Sequence, residues 1–95
     1  MMKFNEEKLL EEIKEYIEST YTQHYSANDD EAPQTMELMG KIPLRLLHFS
    51  TMSSLKYIDR YGLKDGYNRK DLLKAIHFAI ISLYVHDKIE KQKEE

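Results

Sequence analysis

A chain of 95 residues, 41% hydrophobic and 33% charged, has room for one small domain and no second core. The absence of cysteine excludes disulfide, thiolate-metal and cysteine-nucleophile chemistry and suits a reducing cytosol. Net charge is −3, but residues 1–40 hold three Lys/Arg against ten Asp/Glu, residues 41–74 eight against three, and residues 75–95 three against four, so a basic island sits inside an acidic chain.

Residues 5–21 form the first predicted element. Asn5 is placed to cap a helix, and Leu9, Leu10, Ile13, Tyr16, Ile17 and Tyr21 recur at three- and four-residue spacing with Glu and Lys between them. "TQHYSANDDEAPQ" is rich in turn formers and reads as an irregular elbow carrying His24, Tyr25, Asp29 and Asp30. Pro33 can open a short helix that "MELMG" continues until Gly40 stops it.

A further helix is predicted from about Leu44 to Tyr61, with Leu44, Leu47, Leu55 and Ile58 on its apolar stripe and Gly62 terminating it. After the loop "GLKDGYN", Asn68 and Asp71 have the spacing of a reciprocal cap for the last helix. There Leu72, Leu73, Ile76, Ala79, Ile80, Leu83 and Tyr84 make the widest apolar face, the expected core. The expectation is a single all-α domain, a small bundle of three main helices plus one short helix, with residues 1–4 and 89–95 frayed. So small a helical core favours a homo-oligomer.

No apolar run approaches the roughly 20 residues that span a bilayer, and "MMKFNEEKLLEEIKE" lacks the basic-then-apolar order of a signal peptide, so a cytoplasmic location is expected.

The basic island is concentrated in "KYIDRYGLKDGYNRKDLLK", with six basic side chains and three tyrosines between Lys56 and Lys74. Lys56 and Arg60 lie one turn apart on one helix, Lys64 follows in the loop, and Lys70, Lys74 and His77 rise from the next helix. An antiparallel pairing of the two helices lets both ladders flank one cleft and hold an anion, with Arg60 or Arg69 supplying bidentate contacts. Tyr67, in the loop, is placed to stack on a base, whereas Tyr57 and Tyr61, four apart, are explained equally by packing. Against this stands the plain reading of a solvated face whose Asp59, Asp65 and Asp71 form surface pairs of little energetic weight.

Other constellations are weaker. His24 with Asp29 and Asp30 lacks the helical spacing of a metal site. Glu11, Glu12, Glu15 and Glu18 contain the E-x-x-E spacing of magnesium-holding helices without the matching second half. No P-loop, G-x-S-x-G or H-E-x-x-H motif is present.

His24 and Tyr25, then Lys56, Tyr57, Ile58 and Arg60, then Lys64 and Asp65, then Asp71, Leu72, Lys74, Ala75, His77 and Phe78 together resemble a small phage domain family of unknown function, also labelled nucleotide-kinase-like. The resemblance covers about residues 24–80. The family's glycine-rich turn after His-Tyr and its Gly-Asn before Lys-Tyr-Ile are replaced here by "SANDDEAP" and by Ser53 and Ser54. It implies a phage-encoded helical protein in the host-cell cytoplasm that handles a phosphorylated nucleotide. The expected ligand-binding set is Lys56, Arg60, Lys64, Tyr67, Arg69, Lys74, His24 and Tyr25, without a metal or other cofactor. Binding without turnover, as in sequestering a cyclic or ADP-ribose-type immune signal (an anti-defence role), is favoured over catalysis. The alternatives are a nucleotide kinase or magnesium-dependent hydrolase, in which magnesium would be the cofactor, and a nucleic-acid or protein-docking helical module. Overall acidity counts against duplex nucleic acid as a partner.

Overall fold

The computed structural model describes residues 2–26 and 31–94, with side chains described for 2–22 and 36–94. The chain forms four helices, α1 (Glu6–Ser26), α2 (Glu31–Gly40), α3 (Pro43–Arg60) and α4 (Arg69–Glu94), and no strand among the described residues. The all-α bundle expected from the sequence is the fold found.

Helix α1 starts after Asn5, whose backbone sits at φ 62° and whose carbonyl accepts the Leu9 N–H at 3.1 Å. It runs five residues beyond the predicted end, so His24 and Tyr25 belong to the helical backbone and not to an elbow. The reason is local: no Gly or Pro precedes residue 27, and the polar side chains that could compete with the helix are absorbed by it. Ser19 and Thr20 donate to the Tyr16 and Ile17 carbonyls at 2.7 Å, and Thr22 donates to Glu18 O at 3.1 Å. The side chains of His24 and Tyr25, and all of Asp29 and Asp30, lie outside the described residues.

Helix α2 begins two residues before Pro33 and ends on Gly40. Helix α3 opens with Pro43 at its first turn, where the missing N–H costs nothing. Helix α4 continues through the charged tail to Glu94.

The frame of the molecule is the antiparallel hairpin of α3 and α4. Its contact line is built from small side chains. Ser50 and Ser82 share a hydrogen bond of 2.7 Å, and Ser54 Oγ donates to the Ala75 carbonyl at 2.8 Å. Ser50 is 0% and Ala75 2% exposed. Leu46 and Val85 close one end of the line, and Phe78 fills its middle, edge-on to Phe49 and stacked on Tyr57 with 6.0 Å between centroids. Small residues at a helix crossing let the two axes approach closely. Helix α1 lies along α4 in the same direction, with Glu12 meeting Arg69 and Tyr16 and Tyr21 meeting His77. Helix α2 leans on α3.

The expected apolar stripes are therefore buried only in part. Leu47, Leu72 and Leu73 are half-buried, Leu44, Leu55 and Ile58 of α3 and Ile76, Ile80, Leu83 and Tyr84 of α4 are exposed, and the only buried apolar side chains among the described residues are Leu46, Ala75 and Val85. The face of α3 against α4 carries Leu46, Ser50, Ser54 and Tyr57 instead.

Removing the Ser50 hydroxyl leaves Ser82 its bond to the Phe78 carbonyl at 3.0 Å. Ser50→Ala is thus expected to cost no more than about 1 kcal/mol in urea unfolding. Ser50→Leu, which forces a large side chain into the crossing, is expected to cost about 1–3 kcal/mol.

Candidate functional site

The basic island is organised by the turn between α3 and α4. Tyr61 leaves the helix at φ −59°, ψ 120°, and Gly62 follows at φ +90° with its N–H donating to Gly66 O at 2.9 Å. A Cβ at position 62 would come within 2.8 Å of the Tyr67 ring, so glycine supplies both the backbone angle and the space on which Tyr67 rests. Tyr67 also meets Tyr61 edge-on at 5.3 Å, yet stays 81% exposed.

Asn68 starts α4 by accepting the Lys70 N–H on its side-chain oxygen at 3.0 Å. The Asp71 N–H goes to the Asn68 main-chain carbonyl, also at 3.0 Å. The reciprocal cap does not form, because the Asp71 carboxylate turns inward. It is 4% exposed, with Oδ1 at 3.6 Å from Arg60 Nε, while Arg60 Nη2 lies 3.8 Å from Asp65 Oδ2. Both contacts are longer than a hydrogen bond, and Asp71 Oδ2 and Arg60 Nε have no hydrogen-bond partner among the described residues. The pairing still fixes Arg60 beside Tyr57 and compensates its charge.

Tyr57 is the point of convergence. Lys56 Nζ, Arg60 Cζ and Lys74 Nζ lie 5.5, 5.9 and 5.2 Å from the centre of its ring. Attraction to the π face holds these cations close together, at about 0.5–1 kcal/mol each where exposed. With Asp65 and Asp71 the cluster nets one positive charge (three cations, two carboxylates). Among the described residues neither Lys56 nor Lys74 has a carboxylate partner.

The other expected site residues are placed differently. Arg69 forks onto the Glu12 carboxylate, Nη2 to Oε1 at 2.6 Å and Nη1 to Oε2. This bond holds the Glu12 carboxyl below the usual carboxylate range and raises Arg69. Arg69 thus ties α1 to α4. Lys64 is exposed in the turn. Glu12 is drawn out of the acidic ladder of α1, and no group of three or more His, Asp or Glu among the described residues is arranged to hold a metal ion.

The sequence places His77 at the end of a basic ladder, but the structure gives it an aromatic setting. It is half-buried, edge-on to Tyr16 at 6.2 Å and to Tyr21 at 6.0 Å. Burial pushes its pKa below the ordinary value and keeps the imidazole neutral. Burial likewise raises the Tyr16 hydroxyl, with Tyr57 adding to the effect. Beside His77 opens a cavity of about 640 Å³ between α1, α2, the start of α3 and α4, with Tyr21, Ile81 and Tyr84 in its walls and Lys41 and Lys88 also lining it. Sequence reading missed this cavity. Its signal was the Ile17, Tyr21 and His77, Tyr84 spacings, which read equally well as core.

No family model, curated protein or solved structure matches this chain.

Asp71→Ala leaves the half-buried Arg60 with only the exposed Asp65 beside it and is expected to cost about 1–2 kcal/mol in chemical denaturation. For His77, the unfolded state takes up a proton near pH 6.5 while the folded state resists it. Its contribution is therefore constant above that pH and declines as pH falls below it, until the folded-state pKa is passed. The melting temperature should drop between pH 7.5 and 5 by less in His77→Gln than in the parent chain.

Proposed function

We propose that this protein binds a phosphorylated nucleotide and holds it without turnover, as a self-associating protein of the cytoplasm. The reading is that of a phage-type sponge for a cyclic or ADP-ribose-type signal, as the resemblance to the nucleotide-kinase-like phage family implies. The observation that carries it is the gathering of Lys56, Arg60 and Lys74 around the Tyr57 ring, one helical turn from His77 and the cavity.

In this reading Lys56 and Lys74 hold the phosphate. Both are lysines on flexible stems without a carboxylate partner among the described residues, and each can supply a charge-assisted hydrogen bond. Arg60, fixed by Asp71, adds charge without reorganising. Along α4, Lys74 and His77 are separated by about 4.5 Å of axial rise, a step comparable with that from a phosphate to the ribose of one nucleotide. The apolar cavity beyond, with Tyr21 and Tyr84, offers rings to a base. Arg69 is left outside this set, being held by Glu12, and Tyr67 and Lys64 form the rim contributed by the turn.

Calorimetry with a panel of linear, cyclic and ADP-ribose-type nucleotides is expected to find at least one ligand with a Kd below about 10 µM. Lys74→Ala should weaken that ligand about ten- to a hundredfold, the loss of one charge-assisted bond. Recovery of the intact nucleotide after incubation with magnesium and heating supports holding; a converted product points to an enzyme. A blank panel removes the proposal.

A further inference from the structure

Helix α3 is apolar on two sides. One side meets α4 through Leu46, Ser50, Ser54 and Tyr57. The opposite side carries Leu44, Met52, Leu55 and Ile58, spaced i, i+8, i+11 and i+14, and these are 56, 64, 56 and 51% exposed. We infer that this outer stripe of α3 is the interface with a second copy of the same chain, packed antiparallel about a two-fold axis near Met52.

Three observations commit the stripe to that occupant. The first is the thin interior: with Leu46, Ala75 and Val85 the only buried apolar side chains among the described residues, the domain gains much of its missing core by pairing. The second is area. Each of the four stripe residues exposes on the order of 100 Å², so the stripe and its polar rim approach the roughly 800 Å² per partner of a stable interface.

The third is charge. Arg45 and Asp59 flank the stripe on the same side, near opposite ends of α3, and neither has an ion-pair partner among the described residues. A two-fold antiparallel pairing brings residues i and j together when they are equally far from the axis on opposite sides. Residues 45 and 59 are both seven positions from Met52. Arg45 of each copy therefore meets Asp59 of the other, twice by symmetry. Parallel pairing would carry the two Arg45, and likewise the two Asp59, to opposite flanks and keep Arg45 and Asp59 at opposite ends, so neither charge would gain a partner. A lipid surface fits less well, since membrane-lying helices rim the apolar face with cations, and Asp59 would face the headgroups.

This assembly does not depend on the proposed ligand, so light scattering on the ligand-free full chain tests it separately. The expected mass is twice the chain's 11.3 kDa, or an even multiple if the outer stripe of α4 adds a second contact. Leu55→Glu should abolish the α3 pairing, whereas Leu83→Glu, on the outer face of α4, should leave a two-chain species.

A charge exchange decides the orientation even if Leu55→Glu fails to fold. Arg45→Asp and Asp59→Arg alone should each weaken the dimer about tenfold, and the double exchange should restore it to within about threefold. A 11.3 kDa parent chain overturns the proposal, with or without sedimentation on phosphatidylserine vesicles. So does a dimer lost to Leu83→Glu but unaffected by Leu55→Glu, or a double exchange that restores nothing.

Discussion

The close crossing of α3 and α4 is the constraint from which the other features follow. Ser50, Ser54, Ala75 and Ser82 keep the helices near enough for hydroxyls to bond across the gap or to a carbonyl of the neighbouring helix. At those four positions the crossing has little room for large side chains, and Leu44, Leu55, Ile58, Ile76, Ile80 and Leu83 are turned to other faces. It also fixes the register in which Tyr57 stacks on Phe78 and Arg60 reaches Asp71. Lys56 and Lys74, eighteen positions apart in the chain, thereby come to share one aromatic ring.

The electrostatics of the turn then sort arginine from lysine. Arg60 and Arg69 are committed to carboxylates, one holding the hairpin's end and the other tying α1 to α4. Guanidinium groups suit such fixed, multi-donor roles. Lysines at the same end keep their mobility and stay beside an aromatic surface. The helix contributes a neutral His77 one turn further on, where the surroundings change from charged to apolar and the cavity begins. The clustered cations at Tyr57 thus adjoin an aromatic-walled cavity that Lys41 and Lys88 also line, the arrangement on which the proposed binding rests.

With extents of 41 × 40 × 25 Å the chain is thin in one direction, and its hairpin shows apolar residues on two outward faces. That distribution follows from the same crossing. Apolar side chains excluded from a narrow intramolecular line need another surface, and for α3 the flanking Arg45 and Asp59 describe what that surface would be.

The sequence by itself determined the helices, their order and most of their breaks, because these rest on local chemistry: Asn5 and Asn68 at starts, Gly40 and Gly62 at ends, and three- to four-residue apolar spacing between them. It located the basic island and the turn that folds it. It failed where local signals were balanced. The turn formers after residue 27 drew the predicted end of α1 back to Tyr21, although nothing in residues 22–26 stops a helix. More consequentially, periodicity marks an apolar face without saying which neighbour covers it. Helix α3 has two candidate faces, and the one with the larger side chains was the natural choice for the core. Only tertiary packing chose the other, since close approach of helices favours small residues over large ones. The fates of Asp71, Arg69 and Tyr57 were settled at the same level, because each depends on a partner from another helix that spacing within one helix cannot reveal.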